Sequence, residues 1–281
     1  MMLATPNSAG RQPGVKMFWL RQIGGSGSWR LSKQLCLIIS FFLVVQNQLM
    51  ASDGGMDASA LANARKAFGA AGVGYRADTN NAGAAWKFGR ACFDLAQLMT
   101  NNAERAQVAE QGIASCREAV AREPALAAGH YYLGMNLGQL ADTKRNLVAL
   151  RMVKEMEREF EAASDLDARF DYAGPDRNLG LLYHEAPALV SIGSRAKARQ
   201  HLRHAVQLAP DYPENRLNLI EACLKWGDLT AARRETQLLQ KLWPEARRKF
   251  ADPTWAASWL DWETRLKGVK RKIEPPPKPA P

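Results

Sequence analysis

The stretch PDYPENRLNLIEACLKWGDLTAARRETQLLQKLWP, residues 210–244, decides the fold of this chain. Its end prolines, Pro210 and Pro244, lie 34 residues apart, and each is predicted to close an Ala- and Leu-rich helix. An apolar run after Pro210 leads into Gly227-Asp228, and a second apolar run follows. Glycine readily adopts the left-handed backbone conformation that ends many helices, and aspartate often caps the start of a helix. The stretch therefore predicts a helix, a tight turn and a second helix.

The length of that interval indicates a repeat. A helix–turn–helix unit of this period is typical of the tetratricopeptide (TPR) motif, whose units stack into a solenoid. The preceding segment supports this interpretation, because Leu179-Gly180 with Tyr183 matches the Leu-Gly-x2-Tyr part of the TPR signature. Its two helices are separated by an insert, residues 184–189, in which a proline is expected to end the first helix early.

Two more matches extend the repeats toward the N-terminus. Pro124 closes another predicted helix, and Leu133-Gly134 follows it at the spacing seen in the 210–244 stretch. Phe88-Gly89 repeats the pattern of a large apolar residue followed by glycine. The recurrence indicates about four degenerate units.

Composition agrees with a helical repeat protein. Hydrophobic residues make up 47% of the chain, and no run alternates Val, Ile or Thr as a strand would. We predict an all-α, TPR-like helical repeat solenoid over residues 80–246, preceded by an N-terminal helix or linker at 52–79. An irregular helical bundle whose periods agree by coincidence is the alternative.

The N-terminus has the pattern of an export signal. Residues 1–51 carry five basic and no acidic residues, and residues 35–45 form an apolar run interrupted only by Ser40. That run is shorter than the roughly 20 residues that span a bilayer. The pattern predicts a signal peptide cleaved after Ala51, and hence a periplasmic or secreted protein. The alternative is an uncleaved membrane anchor at 35–45, and both Met1 and Met17 remain candidate starts.

The C-terminal region is predicted to close the solenoid. Trp255, Trp259 and Trp262 fall on one face of a short helix. We interpret residues 247–270 as a capping helix that covers the apolar surface of the last repeat, with an aromatic ligand site as the alternative. Residues 271–281 are a Pro-rich tail, expected to be extended or disordered.

The net charge of +10 is unevenly distributed. Residues 52–246 carry 24 basic and 24 acidic residues, so the excess lies in the N-terminal signal and the C-terminal region. A nucleic-acid-binding module would concentrate its basic residues in the folded body, so no nucleic-acid partner is predicted. The C-terminal cations are Lys267, Lys270, Arg271 and Lys272. They are interpreted as a solvated helix end, with a weak contact to an anionic membrane as the alternative.

Three cysteines follow the signal. In the repeat register Cys92 and Cys116 face each other within one unit, whereas Cys223 is predicted to be a buried thiol. A disulfide between Cys92 and Cys116 in an oxidising compartment is one alternative, and two buried thiols are the other. The chain has no CxxC pair or Cys/His cluster, so neither a metal nor a cofactor is predicted.

Catalytic motifs are missing from the sequence. It contains no nucleophile elbow, no P-loop and no His-Glu-x-x-His motif, so we predict that the protein is not an enzyme. His201 and His204 share a helical face, but no carboxylate or further ligand lies near them in sequence. Surface or packing roles are therefore predicted for both.

The first helix of each unit lines the concave face in TPR folds, which gives a candidate binding surface. An arginine and tyrosines among apolar residues suit a carboxylate-bearing or peptide ligand. The alternative is structural, with Arg177 pairing with Glu214 or Glu221 of the next repeat. The candidate binding residues are Tyr131, Met135, Tyr172, Arg177, Leu181, Leu217 and Glu221.

Two segments carry a resemblance to a known family. They are FDYAGPDRNLGLLYHEAP at residues 170–187 and LAPDYPENRL at residues 208–217, and their Gly-Pro entry and Pro-containing insert are not generic TPR sequence. Over roughly residues 80–245 the chain resembles the TatT family, the TPR-like periplasmic components associated with TRAP transporters. Many members are lipoproteins, whereas this chain lacks a lipobox.

The resemblance implies a helical repeat protein with a groove or pore, a periplasmic solute-binding protein as partner, and homo-oligomers. Two functions therefore stay open at this point. One is an exported TPR scaffold that docks a solute-binding protein or another envelope protein. The other is a component that binds a small apolar molecule or organic acid in the groove or lumen.

Overall fold

The computed structural model describes residues 59–144, 147–188 and 191–274, and every regular element in these ranges is helical. The predicted signal peptide and the tail beyond residue 274 lie outside the described residues. The helices are α1 (59–77), α2 (Ala82–Ala96), α3 (Asn102–Arg122), α4 (Ala127–Thr143), α5 (Leu147–Asp167), α6 (Phe170–Glu185), α7 (Arg195–Leu208), α8 (Pro213–Lys225), α9 (Leu229–Lys249) and α10 (Ala256–Ile273), with a 3-10 turn at Pro253–Trp255.

The helices pair into consecutive hairpins. α2 packs with α3, α4 with α5, α6 with α7, and α8 with α9, and each hairpin also contacts the next one along the chain. α1 precedes the first hairpin, and α10 packs against both helices of the fourth. The arrangement follows the predicted four-unit register.

Glycines let the two helices of a hairpin approach closely. The glycine of each predicted Leu/Phe-Gly pair faces a side chain of the second helix, and a Cβ at its position would lie 2.1 to 2.6 Å from that side chain. Such distances exclude any larger residue unless the helices move apart. The facing pairs are Gly89 with Cys116, Gly134 with Phe160, and Gly180 with Leu202.

Helix caps explain where the hairpins turn. Asn81, Asn101 and Ser194 begin α2, α3 and α7 by accepting hydrogen bonds from backbone N–H groups of the first turn. In the fourth hairpin Gly227 has a φ of +75° and Asp228 caps α9 through the N–H of Ala231. This Gly-Asp turn lies where the sequence predicts it.

The prediction that Pro244 closes a helix is wrong. Pro124 and Pro210 do follow helix ends, but α9 continues through Pro244 to Lys249. Proline removes one backbone donor, and here the helix tolerates that loss because its apolar face continues. Ala246, further along the same helix, is buried in the C-terminal core.

The last helix closes the stack. Trp259 and Trp262 of α10 are buried against α8 and α9, and Trp259 Nε1 donates to the backbone oxygen of Phe250 at 2.7 Å. α10 ends at Ile273, so its last three residues extend into the segment that the sequence assigns to the tail.

Apolar side chains fill the interior in three clusters, from α1 and α2 through the middle hairpins to α8–α10. Within the described ranges, no helix has the length and apolar character needed to cross a bilayer. The same residues contain no His, Cys, Asp and Glu grouping that could hold a metal ion.

Candidate functional site

The start of α6 contains a left-handed backbone turn. Asp171, Tyr172 and Ala173 have φ values of 54°, 56° and 61°. For residues other than glycine this conformation costs roughly 1–2 kcal/mol each. Gly174-Pro175 follows and begins the right-handed part of α6, as proline favours the first turn of a helix. The strained turn therefore needs stabilising contacts from the surrounding structure.

Arg177 supplies the first set of contacts. Its Nη1 donates to the backbone oxygens of Asp171 and Tyr172 at 3.3 and 3.2 Å, and its Nη2 donates to Asp171 Oδ2 at 3.0 Å. The side chain is only 3% exposed. One guanidinium, one turn further along α6, thus binds both the backbone and the carboxylate of the left-handed turn.

Asn215 supplies contacts from the next hairpin. Its Nδ2 donates to the backbone oxygens of Tyr172 and Ala205 at 2.9 and 3.0 Å. Its Oδ1 accepts from Arg177 Nη1 at 3.0 Å. The amide therefore connects α8 with the left-handed turn and with the end of α7.

Tyr131 supplies contacts from the preceding hairpin. Its Oη donates to Asp171 Oδ2 at 2.6 Å and accepts from Asn178 Nδ2 at 3.1 Å. A Cβ on Gly174 would lie 2.7 Å from this Oη, so only glycine allows the approach. We call Tyr131, Asp171, Arg177, Asn178 and Asn215 the turn network.

Tyr172 points from the left-handed turn toward the C-terminal hairpin. Its ring stacks on Tyr212 with centroids 4.6 Å apart and planes 13° apart. The Arg177 guanidinium carbon lies 5.4 Å from the centroid of the Tyr212 ring. Tyr172 is only partly buried, whereas Tyr131 and Arg177 are fully enclosed.

A cleft of about 410 Å³ opens beside Tyr172. Arg169 Nη1 donates to the backbone oxygen of Leu208 at 2.7 Å on one side of it, and Lys249 pairs with Asp211 on the other. The wall therefore combines an aromatic ring, apolar side chains and charges of both signs. The lining residues are Arg169, Tyr172, Leu208, Ala209, Pro210, Asp211, Leu242, Glu245 and Lys249.

The structure brings four of the seven candidate binding residues together. Tyr131, Tyr172 and Arg177 meet at the left-handed turn, and Met135 joins them because its Sδ accepts from Asn178 Nδ2 at 3.0 Å. These groups bond to one another, and Tyr172 alone among the seven also lines the cleft.

The other three candidates lie elsewhere. Leu217 is buried in the C-terminal core, with Leu181 packed against it. Both carboxylate oxygens of Glu221 accept from Arg265 of α10 at 2.9 Å. The sequence indicates Glu221 as one candidate acidic partner of Arg177. In the structure Arg177 pairs with Asp171 instead.

Glu214, the other proposed partner of Arg177, accepts a hydrogen bond from Tyr212 Oη at 2.9 Å. Sequence reasoning also missed Asn178, Asn215 and Asp171 as members of the turn network. An asparagine two residues after Pro213 and an aspartate shortly before Gly-Pro are ordinary cap and turn residues, so neither carries a distinctive signal.

A second polar cluster corrects the interpretation of the two histidines. Asp176 of α6 accepts from His201 Nδ1 at 2.8 Å, from His204 Nδ1 at 3.0 Å and from Ser164 Oγ at 3.0 Å. Burial raises the pKa of the Asp176 carboxyl, but the hydrogen bonds outweigh it and the pKa is lowered. A carboxylate does lie beside both histidines, brought there by the pairing of α6 with α7.

Cys92, Cys116 and Cys223, the cysteines that the structure describes, are buried and free. Burial raises the pKa of Cys92 to about 12, and it also raises the pKa of Cys116, with a further contribution from nearby Cys92. Both thiols are therefore protonated and poorly nucleophilic near neutral pH. The disulfide between Cys92 and Cys116 stays a prediction.

Comparison with solved structures bears on the fold. A thermophilic TPR protein from Thermus thermophilus superposes with a TM-score of 0.50 and 18% sequence identity, covering 80% of this chain and 95% of that one. The chain is a TPR-like helical repeat protein. The predicted all-α solenoid with a C-terminal capping helix is confirmed.

Comparison at the sequence level adds one partial match. The model of the family described as regulator of microtubule dynamics protein 1-3 matches residues 57–172, which is less than half of the chain. This region covers α1 to α5 and the first part of the left-handed turn. No curated protein matches the chain significantly.

Proposed function

We propose that this chain is an exported TPR scaffold that binds another protein of the cell envelope. The observation that carries the proposal is the stack of four TPR-like hairpins, because TPR folds generally bind proteins and are typically not enzymes. The resemblance to the TatT family supports a periplasmic solute-binding protein of a TRAP transporter as the partner.

The cleft beside Tyr172 is the proposed contact site. The Tyr172 ring stacks on Tyr212, and the backbone oxygen of Tyr172 accepts hydrogen bonds from Arg177 and Asn215. Tyr172 therefore offers a rigid aromatic contact. Leu208 and Leu242 supply apolar surface, and the charges at the rim can pair with a polypeptide of mixed charge. Such a mixed, open wall suits a protein segment better than an apolar molecule.

Site-directed photo-crosslinking in cells tests this proposal. A photo-reactive amino acid at Leu242 should crosslink to a solute-binding protein identified by mass spectrometry. The same amino acid at Val73, which is 62% exposed on α1, serves as the matched control and should not. Equal labelling from both positions, or recovery of the chain only in the cytoplasmic fraction, would contradict the proposal.

A second candidate function rests on the size of the same cleft. A volume of about 410 Å³ lies in the range of small-molecule sites, and Arg169 beside Tyr172 suits a carboxylate. Succinate and oleate are suitable probes for an organic acid and an apolar acid. Concentration-dependent thermal stabilisation by either, lost in Arg169→Gln, would favour this function over the scaffold.

A further inference from the structure

Positive charge is concentrated in the C-terminal half of the described fold. Residues 195–273 carry 17 basic and nine acidic residues, whereas residues 82–167 carry ten basic and twelve acidic residues. The asymmetry is absent from a count over residues 52–246 as a whole, because that count averages the two halves.

Chain direction gathers this charge at one end of the molecule. In antiparallel hairpins the starts of α7 and α9 lie beside the end of α8, and α10 returns along α9 to finish at the same end. A hydrogen bond confirms the last point, since Arg233 Nη2 near the start of α9 donates to the backbone oxygen of Ile273 at 3.4 Å.

The acidic groups near this end, apart from the exposed Glu274 just after α10, are already paired. Asp228 accepts from Arg199 at 2.8 Å, and Glu185 accepts from Lys225 at 2.9 Å. Glu235 pairs with Arg216 and Arg234. Each of these carboxylates has a closer cationic partner, and Asp228 also attracts Arg195 at longer range.

Six exposed cations at this end form no ion pair with any residue that the structure describes. At the opposite end, by contrast, Arg247 and Lys249 pair with Glu263 and Asp211. Leu229, 44% exposed, adds an apolar side chain among the six. We call them the cationic end: Arg195, Arg233, Lys267, Lys270, Arg271 and Lys272.

We propose that the cationic end binds an anionic phospholipid membrane surface. Clusters of four to eight Lys and Arg side chains attract anionic lipid headgroups, each by about 1 kcal/mol near the surface. Long flexible cationic side chains at helix ends can reach headgroups without a preformed pocket. The contact places the repeat stack beside the bilayer and leaves the cleft at the opposite end accessible.

The same residues fit other anionic partners less well. Single-stranded nucleic acid is bound by stacking bases on exposed aromatic rings. Two aromatic residues lie at this end: Tyr183 is buried, and Trp226 is covered by Arg195 and Arg199 at 5.4 and 5.0 Å and by His184 at 5.2 Å. Lysine is also depleted in protein–protein interfaces, whereas three of the six cations are lysines.

Vesicle co-sedimentation of the full chain tests the proposal. The probes are vesicles of phosphatidylcholine alone and vesicles containing about 30% phosphatidylglycerol, each at low and high salt. The quantity compared is the affinity for anionic vesicles relative to neutral ones, so any uptake through the apolar run 35–45 cancels.

The decisive comparison is between two triple variants of equal net charge. Lys267→Gln, Lys270→Gln and Arg271→Gln together should weaken binding to anionic vesicles on the order of 100-fold. The matched control replaces three exposed cations of α1 and α2, in the N-terminal part of the stack: Arg65→Gln, Lys66→Gln and Lys87→Gln. The control should leave binding within about threefold of the parent chain, and high salt should abolish the anionic preference.

Three results would overturn the proposal. Equal losses in the two triple variants would show that net charge alone is responsible. Equal binding to neutral and anionic vesicles would remove the role of the cations. If the chain binds poly-glutamate or a labelled DNA strand but not the vesicles, the cationic end would be assigned to an acidic protein or to nucleic acid.

Discussion

Arg177 is the residue on which most of the turn network depends. It donates to two backbone oxygens of the left-handed turn, to the Asp171 carboxylate and to Asn215. Removing the Arg177 guanidinium would leave several partly or fully buried acceptors without a donor, which costs free energy. The strained backbone at Asp171–Ala173 therefore persists through side chains from three hairpins.

Replacing Arg177 should test that dependence. We expect Arg177→Met, which keeps the length of the side chain, to lower the free energy of unfolding by about 3–5 kcal/mol, because the partly buried Asp171 loses the guanidinium that it pairs with. Urea denaturation followed by circular dichroism measures the change. The exposed Arg203→Met on α7 is the matched control, expected to cost less than about 0.5 kcal/mol.

A double variant identifies the source of the loss. In Asp171→Asn with Arg177→Met the uncompensated charge is removed, so the pair should cost less than the sum of the two single variants. Strict additivity, or an Arg177→Met cost equal to that of Arg203→Met, would mean that the ion pair does not stabilise the turn.

At the scale of helices, glycine sets the spacing between the two helices in the first three hairpins. Gly134 of α4 faces the Phe160 ring of α5, and a Cβ there would lie 2.6 Å from it. The fourth hairpin has Ile220 at the equivalent position, fully buried. Its two helices must therefore accommodate a larger side chain than those of the first three.

An alanine at Gly134 should destabilise the protein by about 1–3 kcal/mol, because the ring or the helix must shift. The control is Gly268→Ala in α10, where a Cβ would meet no atom within 4 Å. There the gain in helix propensity should raise the free energy of unfolding by up to about 1 kcal/mol. Thermal unfolding of both variants provides the comparison, and a neutral Gly134→Ala would show that α4 and α5 are not in close contact.

At the scale of the whole molecule, each hairpin contacts mainly its neighbours along the chain. Stability in such a stack is approximately a sum of local terms and nearest-neighbour interfaces. α10 is the last of these interfaces, and Trp262, with none of its surface exposed, lies between Tyr212, Phe250 and Trp259.

Removing this side chain should have a graded effect along the stack. We expect Trp262→Ala to cost about 3–5 kcal/mol and to increase amide hydrogen exchange in α8–α10, with α2–α5 still protected. Hydrogen exchange read by mass spectrometry distinguishes the helices. Equal loss of protection in α2–α5 would mean that the whole stack unfolds as one cooperative unit.

The sequence by itself determined the repeat architecture: the 34-residue interval, the Leu/Phe-Gly pairs, the Gly227-Asp228 turn and the capping helix. Periodicity, helix caps and small residues act over one or two helical turns, so they can be read locally. Even so, Pro244 was misread, because its effect depends on whether the apolar face continues beyond it.

Only the tertiary structure decided the composition of the candidate site. Tyr131 reaches Asp171 of the left-handed turn across 40 residues of sequence, and Asn215 reaches Tyr172 of the same turn across 43. Asp176 meets His201 across 25 residues, and the cationic end draws on several separate helices. Hydrogen bonds and charges act over a few ångströms in space, so the stacking of the hairpins determines which distant residues meet.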